Sequence, residues 1–416
     1  MQTALADFIK DTPAGREADA ILRSCVHCGF CLPACPTYQL LGDELDSPRG
    51  RIYLVKQLLE GQPVTARTQL HLDRCLTCRA CESACPSGVQ YGRLIDIGRA
   101  LTEERLPRAP AARLTRWLLR NTVPYRTRAA LLLGLARAVR GLLPARLARR
   151  VPRTRAAPWP TPRHARRVVL LEGCVQPALA PEINAAAARV LDRLGIAAIR
   201  VSAAGCCGAL SHHLAAGSEA RAQMRRNVDA LWPHVAAGVE RIVFTASACA
   251  AMLGDYGRLL DDEPAYAARA RRVSELACDI SQLLDAERAA VAARLAQVPP
   301  AARAGALPQR VAFQAPCTLQ HALKVRGVVE PLLAAAGFTL SEVADGQRCC
   351  GSAGTYSILQ PQLSAQLLRA KVAALEAGAP EVIATANIGC LAQLRSATAL
   401  PVRHWIELLA ARIADD

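Results

Sequence analysis

Aromatic residues, lysine and long apolar runs are scarce in this sequence. Aromatic side chains account for 4% of the 416 residues, and only 4 of the 51 basic residues are lysine. The best apolar stretch, residues 129–136, is flanked by arginines and falls well short of the roughly 18 residues that a membrane-spanning helix needs. Residues 1–20 hold four acidic residues and no apolar core, so no secretory signal peptide is expected. These absences favour a protein of the reducing cytosol.

Motifs for phosphate binding and for nucleophilic catalysis are also missing. No Gly-x-Gly-x-x-Gly follows a strand-like run, and neither a phosphate loop ending in Gly-Lys-Ser/Thr nor a nucleophile elbow is recognisable. The chain therefore shows no visible site for a flavin or a nicotinamide.

Cysteine, by contrast, is abundant, with 17 residues in the chain. In a reducing compartment, dense cysteines are more often metal ligands or redox groups than disulfides. Eight of them form two runs of the same pattern, C-x2-C-x2-C-x3-C-P, one starting at Cys25 and the other at Cys75. This pattern is typical of two-cluster bacterial ferredoxins. Structural zinc usually takes two short cysteine pairs separated by a longer loop, so the runs favour iron–sulfur clusters over zinc.

The fourth cysteine of each run is predicted to bind the cluster of the other run. Three thiolates at three-residue steps wrap one side of a cubic cluster, whereas the fourth points elsewhere. The predicted ligands are Cys25, Cys28, Cys31 and Cys85 for the first [4Fe–4S] cluster, and Cys75, Cys78, Cys81 and Cys35 for the second. Between the runs, the sequence predicts a helix over 47–60, with Pro48 in its first turn. Such a helix separates the domain from small β-rich ferredoxins.

The C-terminal part of the chain is an internal duplication. Cys174, Cys206-Cys207-Gly208 and Cys249 in one half correspond to Cys317, Cys349-Cys350-Gly351 and Cys390 in the other, with a first step of 32 residues in both halves. Short β-rich runs precede the outer cysteines, at 168–171 and 242–244 in the first half and at 311–313 and 382–384 in the second. Helical stretches, such as 183–194 and 363–376, lie between them. The alternation predicts two α/β modules with cysteines at strand-to-helix turns.

The cargo of these Cys-Cys-Gly modules stays open at the level of sequence. Each offers four sulfurs for an unusual iron–sulfur cluster, a zinc ion or a redox dithiol, or the thiols simply belong to a packed core. His212, His213 and His321 lie near the motifs and are candidate ligands, although histidines near turns are more often ordinary hydrogen-bonding residues. Cys278 has no counterpart in the repeat and is predicted to be a core cysteine.

Positive charge is concentrated in one segment. Residues 105–167 contain 17 arginines and no acidic residue, so the rest of a chain of net charge +16 sums to −1. Arginines at helical steps beside leucines predict amphipathic helices suited to an anionic membrane surface or an acidic partner; the alternative is a solvated linker. Nucleic-acid binding is not predicted, because no groove-reading motif or aromatic platform accompanies the charge.

The predicted fold class is multidomain α+β. A helical two-cluster ferredoxin-like domain spans residues 1–104, an Arg-rich helical linker spans 105–167, and the two α/β modules span 168–289 and 309–416. A Pro/Ala-rich bridge that includes Pro299, Pro300 and Pro308 is predicted to link the modules.

Over essentially its whole length, the sequence resembles the iron–sulfur subunits of bacterial glycolate oxidase, also called glycolate dehydrogenase. The stretches that carry the resemblance are Cys25-Val-His-Cys-Gly-Phe-Cys31, Ser47-Pro-Arg-Gly-Arg-Ile-Tyr53, His71-Leu-Asp-Arg-Cys-Leu-Thr-Cys78, Cys349-Cys-Gly-Ser-Ala-Gly-Thr-Tyr356 and Thr385-Ala-Asn-Ile-Gly-Cys390. The resemblance implies two flavin-binding-type partner subunits, at least one with FAD. They oxidise glycolate to glyoxylate, and electrons pass through this subunit toward a quinone-type acceptor. It also implies a cytoplasmic protein, peripheral on the inner membrane if 105–167 contacts lipid.

The wider family includes lactate-utilisation proteins, the iron–sulfur subunit of anaerobic glycerol-3-phosphate dehydrogenase, and heterodisulfide reductase subunits. In the last group, Cys-Cys-Gly modules hold non-cubane clusters with a further cysteine three positions after the last one. Here those positions are Met252 and Gln393, a departure that leaves the cargo of the modules undecided.

Three hypotheses for function follow. The first is the electron-transfer subunit of a 2-hydroxy-acid dehydrogenase, with glycolate, D-lactate or glycerol 3-phosphate dehydrogenases as the related systems. The second is a self-sufficient disulfide or quinone reductase that acts at the Cys-Cys-Gly modules. The third is a structural metal-binding or nucleic-acid module.

Overall fold

The chain builds a helical N-terminal domain, a segment of two successive helices and two parallel-sheet modules in that order. A computed structural model describes residues 1–142, 158–298 and 308–413. Parts of two sequence predictions lie outside this range, namely residues 143–157 of the basic segment and the Pro299-Pro300 bridge. The predicted fold class is confirmed, whereas the domain boundaries themselves stay predictions.

Six helices and a short 3-10 turn form the N-terminal domain. They are α1 (Pro13–Ser24), α2 (Pro36–Leu41), the turn Glu44–Asp46, α3 (Pro48–Leu59), α4 (Ala66–Asp73), α5 (Ala80–Ser83) and α6 (Tyr91–Arg105). The helix predicted between the cysteine runs is α3, whose N-cap Ser47 accepts a hydrogen bond from the Gly50 amide at 2.9 Å. The α3 helix packs so closely against α6 that a Cβ added at Gly98 would lie 2.5 Å from Val55 Cγ2. This pair holds the two cysteine runs at a fixed separation.

The basic segment begins as two helices. These are α7 (Pro110–Thr122) and α8 (Arg126–Ala138), followed by a 3-10 turn at Arg140–Leu142. The prediction of helices in this part of the segment is confirmed. Neither helix supplies much core, since α7 buries no residue and α8 buries only Ala129.

The first module is a four-stranded parallel sheet with strand order β2-β1-β3-β4. Its elements are β1 (Arg166–Leu171), α9 (Gln176–Leu179), α10 (Pro181–Arg193), β2 (Ile196–Ile199), α11 (Ala209–His213), α12 (Gly217–Ala236), β3 (Ile242–Phe244), α13 (Ser247–Gly254), α14 (Tyr256–Leu259), α15 (Ala267–Leu276), β4 (Ala277–Asp279), α16 (Ile280–Ala286) and α17 (Arg288–Ala296). Residues 168–171 of β1 and all of β3 are buried, as expected of parallel strands covered on both faces.

The second module repeats this plan with strand order β6-β5-β7-β8. Its elements are β5 (Arg310–Gln314), a π-helical turn (Thr318–Ala322), α18 (Val329–Ala335), β6 (Thr339–Ser341), α19 (Tyr356–Leu359), α20 (Pro361–Glu376), β7 (Val382–Thr385), α21 (Ile388–Arg395), β8 (Val402–His404) and α22 (Trp405–Arg412). The equal strand orders confirm the duplication that the cysteine spacing indicates.

The two modules share one apolar core. A continuous cluster of buried side chains runs from β1 and α10 of the first module to β5, β7 and α22 of the second. A polar contact crosses the same boundary, because His404 Nε2 lies 2.8 Å from the carbonyl oxygen of Thr245. The outer cysteines follow the carboxyl ends of β1, β3, β5 and β7, so each module brings its cysteines to one edge of its sheet.

Candidate iron–sulfur and thiol sites

The structure brings the first predicted set of ligands together. Burial raises the pKa of the Cys31 thiol to about 11, and the charges of Cys25, Cys85 and Cys28 around it act in the same direction. Cys85, sixty residues away in sequence from Cys25, lines the same cavity as the three cysteines of the first run. The rest of the cavity wall includes Phe30, Pro48, Ile52, Val89 and Tyr91. The four predicted thiols thus line one cavity, and Cys81 of the second set also reaches its wall.

The second set converges in the same way. Burial, followed by the charges of Cys78, Cys75 and Cys35, raises the pKa of Cys81 well above its ordinary value. Cys35 comes from the first run, as the crossed arrangement requires. The Tyr91 hydroxyl donates to Cys75 Sγ at 3.5 Å, so this set also receives a hydrogen bond from α6.

Both cysteine runs have the same unusual backbone conformation. The residues before and after the middle cysteine are left-handed, with φ of 57° at His27 and 86° at Gly29 in the first run, and 53° at Thr77 and 59° at Arg79 in the second. Three of these four residues are not glycine, and the left-handed region costs roughly 1–2 kcal/mol for each such residue. Left-handed residues on either side of a cysteine turn successive backbone N–H groups toward a concave site, which suits an anionic cluster.

These features fit a pair of [4Fe–4S] clusters. Each set offers four thiols, the ligand number of such a cluster, and the Thr77 amide already donates to Cys75 Sγ at 3.4 Å. Hydrogen bonds to sulfur and low solvent exposure are the means by which a protein sets cluster potentials. A bound cluster supplies one-electron transfer, while the chain's own residues hold it and shield it from water.

A buried cation, which the sequence patterns did not single out, stands beside the second set. Arg51 is 1% exposed, its Nη1 lies 3.8 Å from Cys35 Sγ, and its Nη2 lies 3.2 Å from Asp46 Oδ1. Asp46 also pairs with Arg74, at 2.8 Å, and with His71, at 3.1 Å. Asp46 fixes the guanidinium beside the Cys35 sulfur. The sequence does give one signal for this buried cation, because Arg51 lies one turn into the helix that Ser47 caps.

The four cysteines of the first module also meet, and we call them the first thiol tetrad: Cys174, Cys206, Cys207 and Cys249. Cys206 accepts hydrogen bonds from the thiols of Cys174 and Cys207, which lower its pKa well below the ordinary value. The Gly208 amide adds a bond to Cys206 Sγ at 3.5 Å. Gly208 has φ of 90°, so the paired-cysteine turn needs a glycine at this position.

The second thiol tetrad comprises Cys317, Cys349, Cys350 and Cys390. Cys350 Sγ lies 3.2 Å from Cys390 Sγ, and the Gly351 amide donates to Cys349 Sγ at 3.4 Å, as at the equivalent turn of the first module. Contact with Cys349, together with burial, raises the pKa of Cys317 well above its ordinary value. Burial also raises the pKa of Cys78 strongly, and the charge of Cys317 is the next cause. The second thiol tetrad therefore adjoins the second predicted cluster.

Neither tetrad is as compact as a single tetrahedral zinc requires. Among the described residues, which include every cysteine, no three sulfur atoms all lie within 4.8 Å of one another. A zinc ion with Zn–S bonds of about 2.3 Å holds its four sulfurs about 3.8 Å apart. The wider spacing favours a multinuclear iron–sulfur centre or free thiols over zinc.

The candidate histidines do not join the tetrads. His212 and His213 instead face the carboxylate of Asp96 in α6, at 3.3 and 3.1 Å. Although burial opposes the effect, these two imidazoles hold the pKa of Asp96 well below its usual range. His321 Nδ1 lies 2.9 Å from the Ser83 hydroxyl, so this residue also connects a module to the N-terminal domain. These contacts with Asp96 and Ser83 agree with the ordinary hydrogen-bonding role that the sequence favours for the three histidines.

Cys278 lies in β4, where burial raises its pKa to about 12, and its assignment as a core cysteine is confirmed.

The helices of the basic segment are oriented differently from the expectation that arginines face a partner. Arg116 pairs with Asp73 at 3.2 Å and Arg120 with Glu219 at 3.2 Å, so these arginines of α7 face the protein itself. Leu114, Trp117 and Leu118 are 57%, 52% and 46% exposed. On α8, Leu131, Leu132 and Leu135 are likewise 54–74% exposed. We call these six side chains the outer apolar face; among the described residues, no helix is both long and apolar enough to cross a membrane.

Comparisons with known proteins identify the two kinds of domain that carry these cysteines. A family model of a 4Fe–4S dicluster domain matches residues 21–89, and one of a cysteine-rich domain matches residues 168–254 and 311–395. The chain is 50% identical over 411 residues to the glycolate oxidase iron-sulfur subunit of Escherichia coli K12, covering 98% of both chains. It is 31% identical to the probable glycolate oxidase iron-sulfur subunit of Bacillus subtilis 168, covering 90% of this chain and 88% of that one. Lactate utilization protein A of Bacillus licheniformis is 25% identical and matches 59% of this chain over its own full length. The chain therefore belongs to the family of glycolate oxidase iron–sulfur subunits.

Proposed function

We propose that this chain is the electron-transfer subunit of a glycolate-oxidising complex. In this proposal, two flavin-binding-type partner subunits, at least one with FAD, oxidise glycolate to glyoxylate, a reaction at a CH–OH group. Electrons then leave the flavin and pass through this chain to a quinone-type acceptor. The observation that carries the proposal is the match to the Escherichia coli glycolate oxidase subunit over 98% of both chains, which includes both cysteine runs.

Within the chain, we propose two [4Fe–4S] clusters with crossed ligation. The first is held by Cys25, Cys28, Cys31 and Cys85, and the second by Cys75, Cys78, Cys81 and Cys35. The proximity of the sulfurs within each set supports this pairing. Because each run supplies a ligand to both clusters, the pair forms one rigid relay through the N-terminal domain.

The exposed side of the first cluster site is the proposed entry point for electrons. Cys28 is exposed, and its neighbours Val26 and Phe30 are 67% and 63% exposed. Such exposed apolar side chains beside a ligand suit docking of the flavin-bearing partner. The second cluster site, between the N-terminal domain and the second module, lies farther inside.

We also propose that the outer apolar face of α7 and α8 rests on an anionic membrane surface. A tryptophan among exposed leucines suits the interfacial region of a bilayer, and the exposed Arg113 and Arg128 of the same two helices suit its anionic lipids. This placement is that of a cytoplasmic protein peripheral on the inner membrane. It supports a membrane quinone as the acceptor.

The experiment for the main proposal is reduction of the clusters by substrate. The chain, expressed anaerobically with its flavoprotein partners, is mixed with glycolate, and bleaching of the iron–sulfur absorption is followed. Glycolate should reduce the clusters only when the flavoproteins are present. If the lone chain reduces a quinone or cleaves a disulfide at rates comparable to the complex, it is instead a self-sufficient reductase and the subunit proposal fails.

A second candidate substrate is D-lactate, favoured by the similarity to lactate utilization protein A. The flavoprotein partners bind the substrate in either case, so this chain's residues do not decide between them. Rates of cluster reduction with glycolate, D-lactate and glycerol 3-phosphate, measured on the same complex, rank the three.

A further inference from the structure

A cavity apart from the cysteine sites lies between α7 and the first module. Its volume is about 480 Å³, within the range of roughly 300–1,000 Å³ that is usual for small-molecule sites. Leu214 and Ala215, which follow α11, form one part of its wall, and Glu103 of α6 forms another. We call this space the arginine cavity, because the rest of its wall is one side of α7, made of Pro110, Arg113, Leu114, Arg116, Trp117 and Arg120.

The wall of the arginine cavity is positively charged. Arg113, Arg116 and Arg120 follow one another at steps of three and four residues, so they share one face of α7. Glu103 is the one carboxylate that lines the cavity among the described residues, which leaves three cations against one anion and a net charge of +2. Glu103 is itself paired with Arg108 at 2.5 Å. An anion is therefore the kind of ligand that this wall favours.

Two of the three arginines brace α7 against two different domains. Arg116 pairs with Asp73 of α4 at 3.2 Å, and Arg120 pairs with Glu219 of α12 at 3.2 Å. The N-terminal domain and the first module thus both hold this helix in place. The arginine cavity is therefore preformed, and a ligand does not have to order the helix in order to bind.

Other donors of the same wall have no acceptor in the protein. Arg113 is exposed, and its guanidinium forms no ion pair or hydrogen bond with the described residues. The Nε of Arg120 is buried and likewise lacks a hydrogen-bond partner in the part of the chain that the structure describes. A buried donor without an acceptor is costly, so an oxyanion that reached Arg120 would remove this cost. Guanidinium groups suit phosphate oxygens in particular, because their planar fork can donate two parallel hydrogen bonds.

The arginine cavity also has an apolar side that reaches the surface. Leu114 and Trp117 line it, and both belong to the outer apolar face of α7 and α8. A ligand in the cavity therefore meets cations on one side and exposed hydrocarbon on the other. A phospholipid with an anionic headgroup has the matching phosphate and acyl chains, whereas free phosphate has only the first of these. Tryptophan is also the side chain that is enriched at the headgroup level of membranes.

We propose that the arginine cavity binds the phosphate group of an anionic phospholipid. Arg113 and Arg120 donate hydrogen bonds to the phosphate oxygens, while Leu114 and Trp117 contact the glycerol and the first carbons of the acyl chains. The proposal rests on the proposed contact of the outer apolar face with a membrane and deepens it, because it names a class of lipid and a defined site. Attachment then depends on one bound lipid as well as on the insertion of apolar side chains.

The direct test is binding of a soluble short-chain lipid to the purified complex. Dihexanoyl phosphatidylglycerol, kept below its micelle concentration, is titrated into the complex and followed by isothermal titration calorimetry. Binding should be saturable, and inorganic phosphate should bind roughly tenfold more weakly because it lacks the apolar part. Dihexanoyl phosphatidylcholine should also bind roughly tenfold more weakly, because its choline cation meets a positive wall. Phosphate binding as tight as that of the lipid, equal binding of the two lipids, or no saturable binding would each overturn the proposal.

Variants of Arg113 assign this binding to the arginine cavity. Arg113 has no carboxylate partner among the described residues, so its replacement should leave the fold intact, whereas Arg116 and Arg120 also brace α7. The lipid should bind Arg113→Gln roughly tenfold more weakly than wild type, and Arg113→Lys, which keeps the charge but not the planar fork, should fall between the two. The matched control is Arg369→Gln, which removes an exposed arginine of α20 that also lacks an ion pair with the described residues, and it should bind the lipid like wild type. Equal affinity of Arg113→Gln and wild type, or an equal loss in Arg369→Gln, would refute the site.

A failure of this site is distinguishable from failure of the proposed function. If glycolate reduces the clusters of the wild-type complex while Arg113→Gln binds the lipid as tightly as wild type, the electron-transfer function stands and the lipid site does not. Vesicle binding that depends on Trp117 and Leu118 tests the membrane contact by itself. If the wild-type complex binds no lipid and Arg113→Gln loses a flavoprotein partner during purification, the arginine cavity is a protein interface, which also overturns the proposal.

Discussion

Cys35 and Cys85 each belong to one cysteine run but are predicted to bind the cluster of the other run. Each closes a cysteine run, yet the pKa of Cys31 is raised by the charge of Cys85, and that of Cys81 by the charge of Cys35. The trailing proline of each run starts a new direction of the chain at that point. The crossed ligation therefore depends on Cys35 and Cys85, and a single substitution at either position tests it.

We expect Cys85→Ser to damage the cluster of Cys25, Cys28 and Cys31 and to spare the cluster of the Cys75 run. Cys35→Ser, the matched variant, should do the reverse, because a cluster that loses one of four thiolates is destabilised or converted. Electron paramagnetic resonance of the reduced protein separates the two signals. Loss of only the Cys75-run signal in Cys85→Ser would refute the crossed pairing.

At the scale of elements, close approach of α3 to the preceding 3-10 turn depends on one glycine. A Cβ at Gly50 would lie 2.0 Å from the carbonyl oxygen of Glu44, so the backbone of one element would have to move. The turn holds Asp46, which fixes Arg51 beside the second cluster site. Packing of these two elements therefore shapes the electrostatics of that site.

We expect Gly50→Ala to destabilise the N-terminal domain by at least about 2 kcal/mol through this overlap. Gly134→Ala in α8 is the control, because nothing lies within 4 Å of its added Cβ and alanine is the better helix former by about 0.8 kcal/mol. Chemical denaturation of both variants measures the two free energies of unfolding. Equal stability of the two variants would contradict the role of the close approach.

Helix α7 differs from an ordinary surface helix, because Arg116 and Arg120 pair with carboxylates of the protein while Leu114, Trp117 and Leu118 are exposed. We expect the double variant Trp117→Ser, Leu118→Ser to bind vesicles of phosphatidylglycerol and phosphatidylcholine at least tenfold more weakly than wild type. Two apolar side chains lost from an interface exceed the roughly 1.4 kcal/mol that tenfold requires.

The control for this experiment is Ile358→Ser, an exposed apolar residue of the second module that is 56% exposed. Its vesicle binding, measured by cosedimentation, should equal that of wild type. If the double variant binds vesicles normally but loses a flavoprotein partner during purification, the outer apolar face is a protein interface instead.

On the scale of the whole molecule, the modules and the N-terminal domain are joined by polar residues at their boundaries. Arg79 pairs with Asp255 at 3.0 Å, and Asp96 with both histidines of α11. His404 joins the two modules, and its complete burial lowers the pKa of its imidazole to about 4 from an ordinary 6.5. The neutral ring accepts from the Ile406 amide at 3.2 Å while its other nitrogen faces Thr245.

Acid should therefore weaken the contact between the modules. In the unfolded chain the imidazole of His404 takes up a proton below about pH 6.5. In the folded chain it does so only below about pH 4. The contribution of His404 is thus fully present above the unfolded pKa and falls with pH, by about 2 kcal/mol between pH 7 and pH 5.

The measurement is urea unfolding, followed by tryptophan fluorescence, at pH 7 and pH 5 in wild type and His404→Asn. The variant should be less stable than wild type at neutral pH. Between pH 7 and pH 5, however, it should lose about 2 kcal/mol less unfolding free energy than wild type does. Parallel pH dependences in the two proteins would exclude His404 as the group responsible.

The sequence alone determined the cluster type, the duplication and the helical or strand character of most elements. These features are local, because thiol spacing, N-cap Ser47 and continuous apolar runs such as 168–171 act within a few residues of the chain. It also predicted the crossed ligand sets, since a four-cysteine run cannot wrap one cluster.

Only the tertiary structure decided which surfaces and tetrads face one another. Helix α7 has the same arginines and leucines whichever face packs inward, and the carboxylates of Asp73 and Glu219, distant in sequence, select the face that carries Arg116 and Arg120. In the same way, the second of two similarly spaced tetrads is the one whose Cys317 and Cys349 pack with Leu76 and Cys78 of the N-terminal domain. Such pairings depend on long-range packing, which a linear pattern does not contain.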